Sequence, residues 1–180
     1  LISAVSAARP KVADYPFTTL YPNLGVVRVG MDSSFVIADI PGLIEGAAEG
    51  AGLGVQFLKH LKRTRLLLRL VDIAPLDEMP PEDAVRKLEQ ELVNFDSGLG
   101  EKVRWLVFTK TDVLEQAEAE EIAARVVKEL DWMAPWFMIS SVTRSGTDEL
   151  MQSVGRALDE MTEIEQEQQK EWTMETGSDN

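Results

Sequence analysis

Residues 35–38 form a short apolar run that ends in Asp39-Ile40-Pro41-Gly42. An acid at the C-terminal end of a buried strand, with a glycine three residues later, restricts the folds open to a chain. Open α/β sheets bind ligands outside the carboxyl ends of their strands. A carboxylate there can face such a ligand. A glycine, lacking a Cβ, lets its amide come close to a phosphate. The D-x-x-G spacing alone is weak, because chance matches are common. Its weight depends on what the other strand ends carry.

The rest of the chain alternates strand and helix patterns. Residues 1–8 are helix-compatible, with Leu1 and Val5 four apart, and Pro10 ends that segment. Residues 11–23, with Pro16, Pro22 and Asn23, read as a long loop. Residues 24–29 and 35–38 read as an antiparallel hairpin, turned at Gly30 and Asp32. Residues 42–54 hold five glycines and are expected to be mobile; residues 55–64 are expected to be helical. Leu66–Asp72 is a near-continuous apolar run, interrupted by Arg69, as in a strand buried on both faces.

Pro80-Pro81-Glu82-Asp83 starts a helix that carries Val85, Leu88, Leu92 and Phe95. A strand follows at 103–108, then a helix at 117–130 with Ile122, Val126 and Leu130 on one face. A strand at 136–139 leads to a last helix opened by Ser145, with Asp148 at capping-box spacing and Leu150, Val154, Leu158 and Met161 inward. From Glu163 onward Glu and Gln dominate, which reads as an acidic, disordered tail over 163–180. The expectation is an α/β domain over 1–162, its sheet mostly parallel with helices on both faces.

Composition narrows the function. The 180 residues include no cysteine, which excludes a disulfide framework and thiolate metal sites and fits a reducing, cytoplasmic setting. No apolar run is long enough to span a bilayer. A formal net charge of -13 argues against broad attachment to nucleic acid, and no direct DNA binding is expected. Lys59, Lys62, Arg63 and Arg65 form a local basic cluster that reads as a solvated helix face. His60, the sole histidine, lacks a nearby second ligand, and Glu120 and Glu121 read as solvated.

Three further segments sit where a phosphate-and-base site needs them. Thr18 and Thr19 lie in the loop before the first strand, where a hydroxyl can bind Mg²⁺ and an amide can sense a terminal phosphate; two ordinary loop threonines are the alternative. Thr109-Lys110-Thr111-Asp112 follows the fourth strand and is similar to the N-K-x-D motif that reads guanine. In that motif the Asp accepts hydrogen bonds from the base's N1 and N2 groups and the Lys stem lies along the base. Such a carboxylate rejects adenine, which would leave it unpaired. Thr109 stands in place of Asn, with a shorter side chain and no amide. Ser140-Ser141-Val142 follows the fifth strand and resembles the segment whose second residue meets the guanine O6 through its amide. Four weak signals in this order, each at a strand end or in a switch loop, are jointly specific.

Tyr15-Pro16-Phe17-Thr18-Thr19-Leu20, Pro22-Asn23-Leu24-Gly25, Asp39-Ile40-Pro41-Gly42-Leu43-Ile44-Glu45-Gly46-Ala47 and Gly50-Ala51-Gly52-Leu53-Gly54 with Phe57-Leu58 resemble the Obg (CgtA) family of GTPases. The resemblance runs from residue 1 to about 160. It implies a P-loop NTPase fold of the Ras-like kind, binding of GTP and GDP with Mg²⁺, and association with the large ribosomal subunit during its assembly. By resemblance, nucleotide contacts fall on Phe17, Thr18, Thr19, Leu20, Tyr21, Asp39, Ile40, Pro41, Gly42, Thr109, Lys110, Thr111, Asp112, Ser140, Ser141 and Val142. Thr19 would ligate Mg²⁺ directly and Asp39 through water. Leu43 stands where Ras-like proteins carry a water-orienting glutamine, so hydrolysis is expected to be slow without help. The resemblance implies a monovalent cation or the ribosome as that help, and the sequence leaves both open.

A site of this kind also needs a phosphate-cradling loop, G-x-x-x-x-G-K-S/T, upstream. None lies between Leu1 and Asp39, and residues 1–5 read like the helix that follows such a loop. The expectation is a GTPase domain whose first strand and P-loop are missing. By itself it would bind nucleotide poorly, and the interior of its sheet would carry a gap. A loopless pseudo-GTPase docking to ribosome or protein is one alternative, opposed by retained Thr19, Asp39 and Asp112. An enzyme on another nucleotide, such as an ATPase, is the other, opposed by Asp112.

Overall fold

A computed structural model of the chain describes residues 1–6, 23–31, 33–39, 64–76, 79–95 and 102–176. The expected loop at 11–22, the glycine-rich stretch 42–54, the helix at 55–63 and His60 lie outside the described residues. In chain order the elements are α1 (Ile2–Val5), β1 (Asn23–Arg28), β2 (Ser34–Asp39), β3 (Leu66–Asp72), α2 (Pro81–Phe95), β4 (Val103–Thr109), α3 (Gln116–Glu129), β5 (Trp136–Met138) and α4 (Thr147–Thr176). A single 3₁₀ turn spans Thr111–Val113.

The described strands form two sheets. β1 and β2 make the expected antiparallel hairpin, with Val26 opposite Val36. β3, β4 and β5 make a parallel sheet in that order, with Leu68 opposite Trp105 and Phe108 opposite Met138. Among the described residues no ladder joins the two sheets, so the hairpin stands apart from the parallel sheet.

Alternation along β4 divides the core. Leu106 and Phe108 pack with Val71, Ile73, Val85, Ala119, Ala123 and Val126, which places α2 and α3 on one face. Trp105 and Val107 pack with Ile139, Leu150, Met151, Val154 and Val27, with Leu1 and Val5 alongside, which places α1, α4 and the hairpin on the other. Burial on both faces is therefore a property of β4. The apolar run of β3 predicts the same there, but Leu70 is 49% exposed. The reason is position: β4 has a partner on each side, and β3 lies at the edge of the described ladder.

Ile122, Val126 and Leu130 of α3 pack on the core as expected, and Ala119 and Ala123 share that face. Two further expectations are corrected. The last helix starts at Thr147 after a left-handed Gly146, so Ser145 lies outside the helix and the capping-box spacing is not used. The acidic segment from Glu163 is exposed as expected, but it is helical to Thr176 rather than disordered. Arg65 fastens α4 where it leaves the sheet: Nη1 donates to Thr162 Oγ1 (2.8 Å), and Nη2 lies 3.0 Å from Glu165 Oε1.

Glu89 and Glu82 tie α2 to its neighbours by ion pairs. Arg69, on the same face of β3 as Val71, has a side chain only 2% exposed and pairs with Glu89 of α2, which also lies 3.4 Å from Arg104. Burial lowers the Arg69 pKa, and Glu89 opposes that shift. Arg69 Nε and Nη2 find no hydrogen-bond partner among the described residues. Removing one partner of a buried pair strands the other charge, whereas replacing both partners by apolar side chains is often tolerated. Glu89→Gln is expected to destabilise by roughly 3 kcal/mol and the double variant Arg69→Met, Glu89→Leu by less, read from urea unfolding.

Glu82, in the first turn of α2, accepts from Arg125 Nη1 of α3 at 2.7 Å. Burial pushes its carboxyl up, but hydrogen bonds from backbone and Arg125 outweigh that and hold it below its ordinary 4.5. A depressed folded-state value stabilises above the unfolded value, and the benefit is lost as pH falls through the folded one. Arg125→Ala is expected to cost roughly 1 kcal/mol at neutral pH, given the exposure of Arg125, and progressively less as pH falls below 4.5 through the depressed folded-state value. Denaturant melts at neutral and acid pH check the difference.

Candidate nucleotide site

The parallel register sets the C-terminal ends of β3, β4 and β5 side by side. Asp72 lies opposite Thr109 across the β3–β4 ladder, and Phe108 opposite Met138 across the next. Hydrogen bonds continue past the strands. Ile73 N donates to Thr109 O (3.2 Å), Ile139 N to Phe108 O (2.8 Å) and Thr111 N to Ile139 O (3.3 Å). The three loops leave the sheet as one connected surface.

On this surface Lys110 adopts a left-handed backbone, φ 61°, uncommon for a residue with a side chain. That bend turns β4 into the 3₁₀ turn, where Asp112 is exposed. Thr109 points its hydroxyl back into the sheet, donating to Val71 O at 3.1 Å. Lys110 Nζ pairs with Asp72 Oδ2. Asp72 Oδ1 accepts from Ala74 N at 3.1 Å.

The loop after β5 folds around Ser140, which is 1% exposed. Its Oγ accepts from Val142 N (3.2 Å) and Thr143 N (3.0 Å), and its amide donates to Ser145 O (3.0 Å). The loop is held from inside, leaving Ser141 half-buried and Val142 exposed. Of the expected site residues, the structure thus brings together Thr109, Lys110, Thr111 and Asp112 with Ser140, Ser141 and Val142. Asp39 ends β2, opposite Asn23, with an exposed side chain on the separate hairpin. Phe17, Thr18, Thr19, Leu20, Tyr21, Ile40, Pro41, Gly42 and Leu43 lie outside the described residues.

Sequence reasoning passes over Asp72. Its signal is the one that draws attention to Asp39, an acid closing an apolar run at a strand end. Of the two residues expected to hold a divalent cation, Asp39 is the one among the described residues, where no cluster of three metal-ligating side chains occurs. That suits Mg²⁺, which keeps several waters and takes one or two protein oxygens together with phosphate oxygens. A separate cavity of about 780 Å³ lies between α2 and α3, by the start of β4 and the chain leading into β5, lined by Val85, Glu89, Arg104, Leu130 and Trp132. It is at the opposite end of the strands from the candidate site.

A model of the 50S ribosome-binding GTPase family matches residues 1–110. Among solved structures, a single-residue variant of Era from Aquifex aeolicus bound to GDP.AlF4- is similar, with 20% identity and a TM-score of 0.59, over 84% of this chain and 48% of that chain. The chain spans about half the length of that Era chain. A putative nucleolar GTP-binding protein 1 from Plasmodium falciparum matches with 16% identity and a TM-score of 0.46, over 84% and 78% of the two chains. The Era likeness shows a P-loop GTPase fold, and the parallel sheet flanked by helices agrees with it. No described helix is long and apolar enough to cross a membrane.

The loop after β5 depends on Gly146. Its φ is +69°, and a Cβ there would lie 2.2 Å from Met138 O, inside any contact distance. Because the obstacle is backbone, it cannot swing aside. Gly146→Ala is expected to cost roughly 3 kcal/mol in urea unfolding, with faster amide exchange at Ser140 and Val142.

Proposed function

The chain belongs to the 50S ribosome-binding GTPase family, and from that premise we propose an Obg-type protein that binds GTP, hydrolyses it to GDP with Mg²⁺, and acts in large ribosomal subunit assembly. One observation carries the guanine part: Asp112 stands exposed in a turn hydrogen-bonded to the loop that holds Ser140-Ser141-Val142. In this reading the Asp112 carboxylate accepts from the base's N1 and N2 groups. The Ser141 amide donates to O6. The Lys110 stem lies along the ring. Adenine presents an amine where guanine has O6 and lacks donors at N1 and N2, so it leaves both Asp112 and the Ser141 amide unpaired.

Asp39, through water, and Thr19 would hold Mg²⁺, which when bound neutralises charge on the phosphates. The Thr18, Thr19 and Gly42 amides would face the terminal phosphate. Leu43 has no group to orient the attacking water, which makes intrinsic hydrolysis slow and dependent on an activator. Residues 15–20, 22–25 and 39–47 support the Obg branch within the family. The large ribosomal subunit is the partner this branch implies, and the cytoplasm its setting.

The test is competition for a fluorescent GDP analogue on the full-length protein. GDP is expected to displace it at least about 100-fold better than ADP. Asp112→Asn replaces one acceptor by a donor, and is expected to exchange GDP preference for xanthosine diphosphate, whose C2 oxygen accepts. Equal competition by ADP would sink the reading.

A further inference from the structure

We propose that Asp72 is a positioning residue of the guanine pocket, holding Lys110 in place for the base. The proposal rests on the guanine reading above. It begins from register: Asp72 is the last residue of β3 and lies opposite Thr109, one residue before Lys110. Its two oxygens do different work. Oδ1 accepts from Ala74 N at 3.1 Å, which fixes the carboxylate plane over the start of its own loop. Oδ2 then meets Lys110 Nζ. The lysine is constrained from both ends, its backbone left-handed at φ 61° and its ammonium on a carboxylate that cannot swing away.

Lysine carries about 2 kcal/mol of rotamer entropy when unrestrained. Ordering the stem before the ligand arrives removes part of the cost of binding. Thr109 cannot supply that order, because its hydroxyl is already donated to Val71 O inside the ladder. Asp72 thus performs from the neighbouring strand an ordering task that the side chain at 109 does not.

The pair is exposed, with 59% of the Lys110 and 27% of the Asp72 side chain open to solvent. Exposed ion pairs add little to folding stability. This separates a positioning role from a structural one: loss of the pair should appear in nucleotide affinity while the fold is unchanged. Asp72→Asn is the suitable variant, since its amide oxygen still accepts from Ala74 N and only the charge facing Lys110 is lost.

The experiment measures GDP dissociation constants for four forms of the full-length protein: wild type, Asp72→Asn, Lys110→Met and the double variant. Asp72→Asn is expected to weaken GDP roughly three- to tenfold with an unchanged thermal midpoint, and to have no further effect once Lys110 is Met. GDP binding by the wild type with no change in Asp72→Asn would overturn the proposal alone. So would an equal loss in the Lys110→Met background, which would mean that Asp72 acts by another route. Failure of the wild type to bind any guanine nucleotide would instead overturn the guanine reading and this proposal with it.

Discussion

β4 is hydrogen-bonded along both edges, and the candidate base-binding surface hangs from it. Leu106, Val107 and Phe108 are fully buried, with helices packed above and below. A strand so held cannot shift register without moving every side chain to the wrong face. The loops on either side inherit that fixity through backbone bonds, Ile73 to Thr109 on one flank and Thr111 to Ile139 on the other. A recognition site tolerates little looseness, and the proposed one is built on a strand paired on both sides.

The metal end is held differently. Asp39 ends a hairpin that shares no ladder with the parallel sheet among the described residues. The hairpin is attached by apolar packing of Val27, Val29, Phe35 and Ile37 against the sheet face and α4. Gly155 makes that attachment close, since a Cβ there would lie 2.8 Å from Val29 Cγ2. Packing of this kind is non-directional, and it fixes distance better than orientation. The two ends of the proposed nucleotide are therefore met by parts secured by different physics, backbone bonding for the base and side-chain contact for the phosphates.

Much of this is legible in sequence because the strong signals are local. Strand ends, the hairpin and the turn after β4 follow from period and punctuation, and the antiparallel pairing follows from one glycine-containing turn. Non-local facts are not legible. Leu66–Asp72 and Val103–Thr109 are similarly apolar, and only the sheet order makes the second the buried one. Alanine at 119 and 123 reads as neutral on a helix, yet both are buried in the cluster that holds Leu106 and Phe108. The helix past Glu163 is hidden because its composition matches a disordered tail, while Arg65, distant in sequence, secures its first turn there. Asp72 escapes notice because its partner lies on the next strand, and no spacing rule joins positions 72 and 110.

Charge explains why Asp72 cannot be a passive neighbour. In the proposed function a chain of net charge -13 receives a polyanion near Asp72 at the end of β3, Asp112 in the turn after β4 and Asp39 at the end of β2. Each carboxylate would repel phosphate unless it is used or neutralised. In the proposed function Asp112 spends its charge on the donors of the base and Asp39 faces Mg²⁺. Asp72 has neither role, and its charge is met by Lys110. Lysine at 110 therefore answers two demands with one side chain, cancelling the acid of β3 with its ammonium and presenting methylenes to the base. The substitution of Thr for Asn at 109 leaves both in place, because Thr109 bonds to the sheet rather than to the pocket.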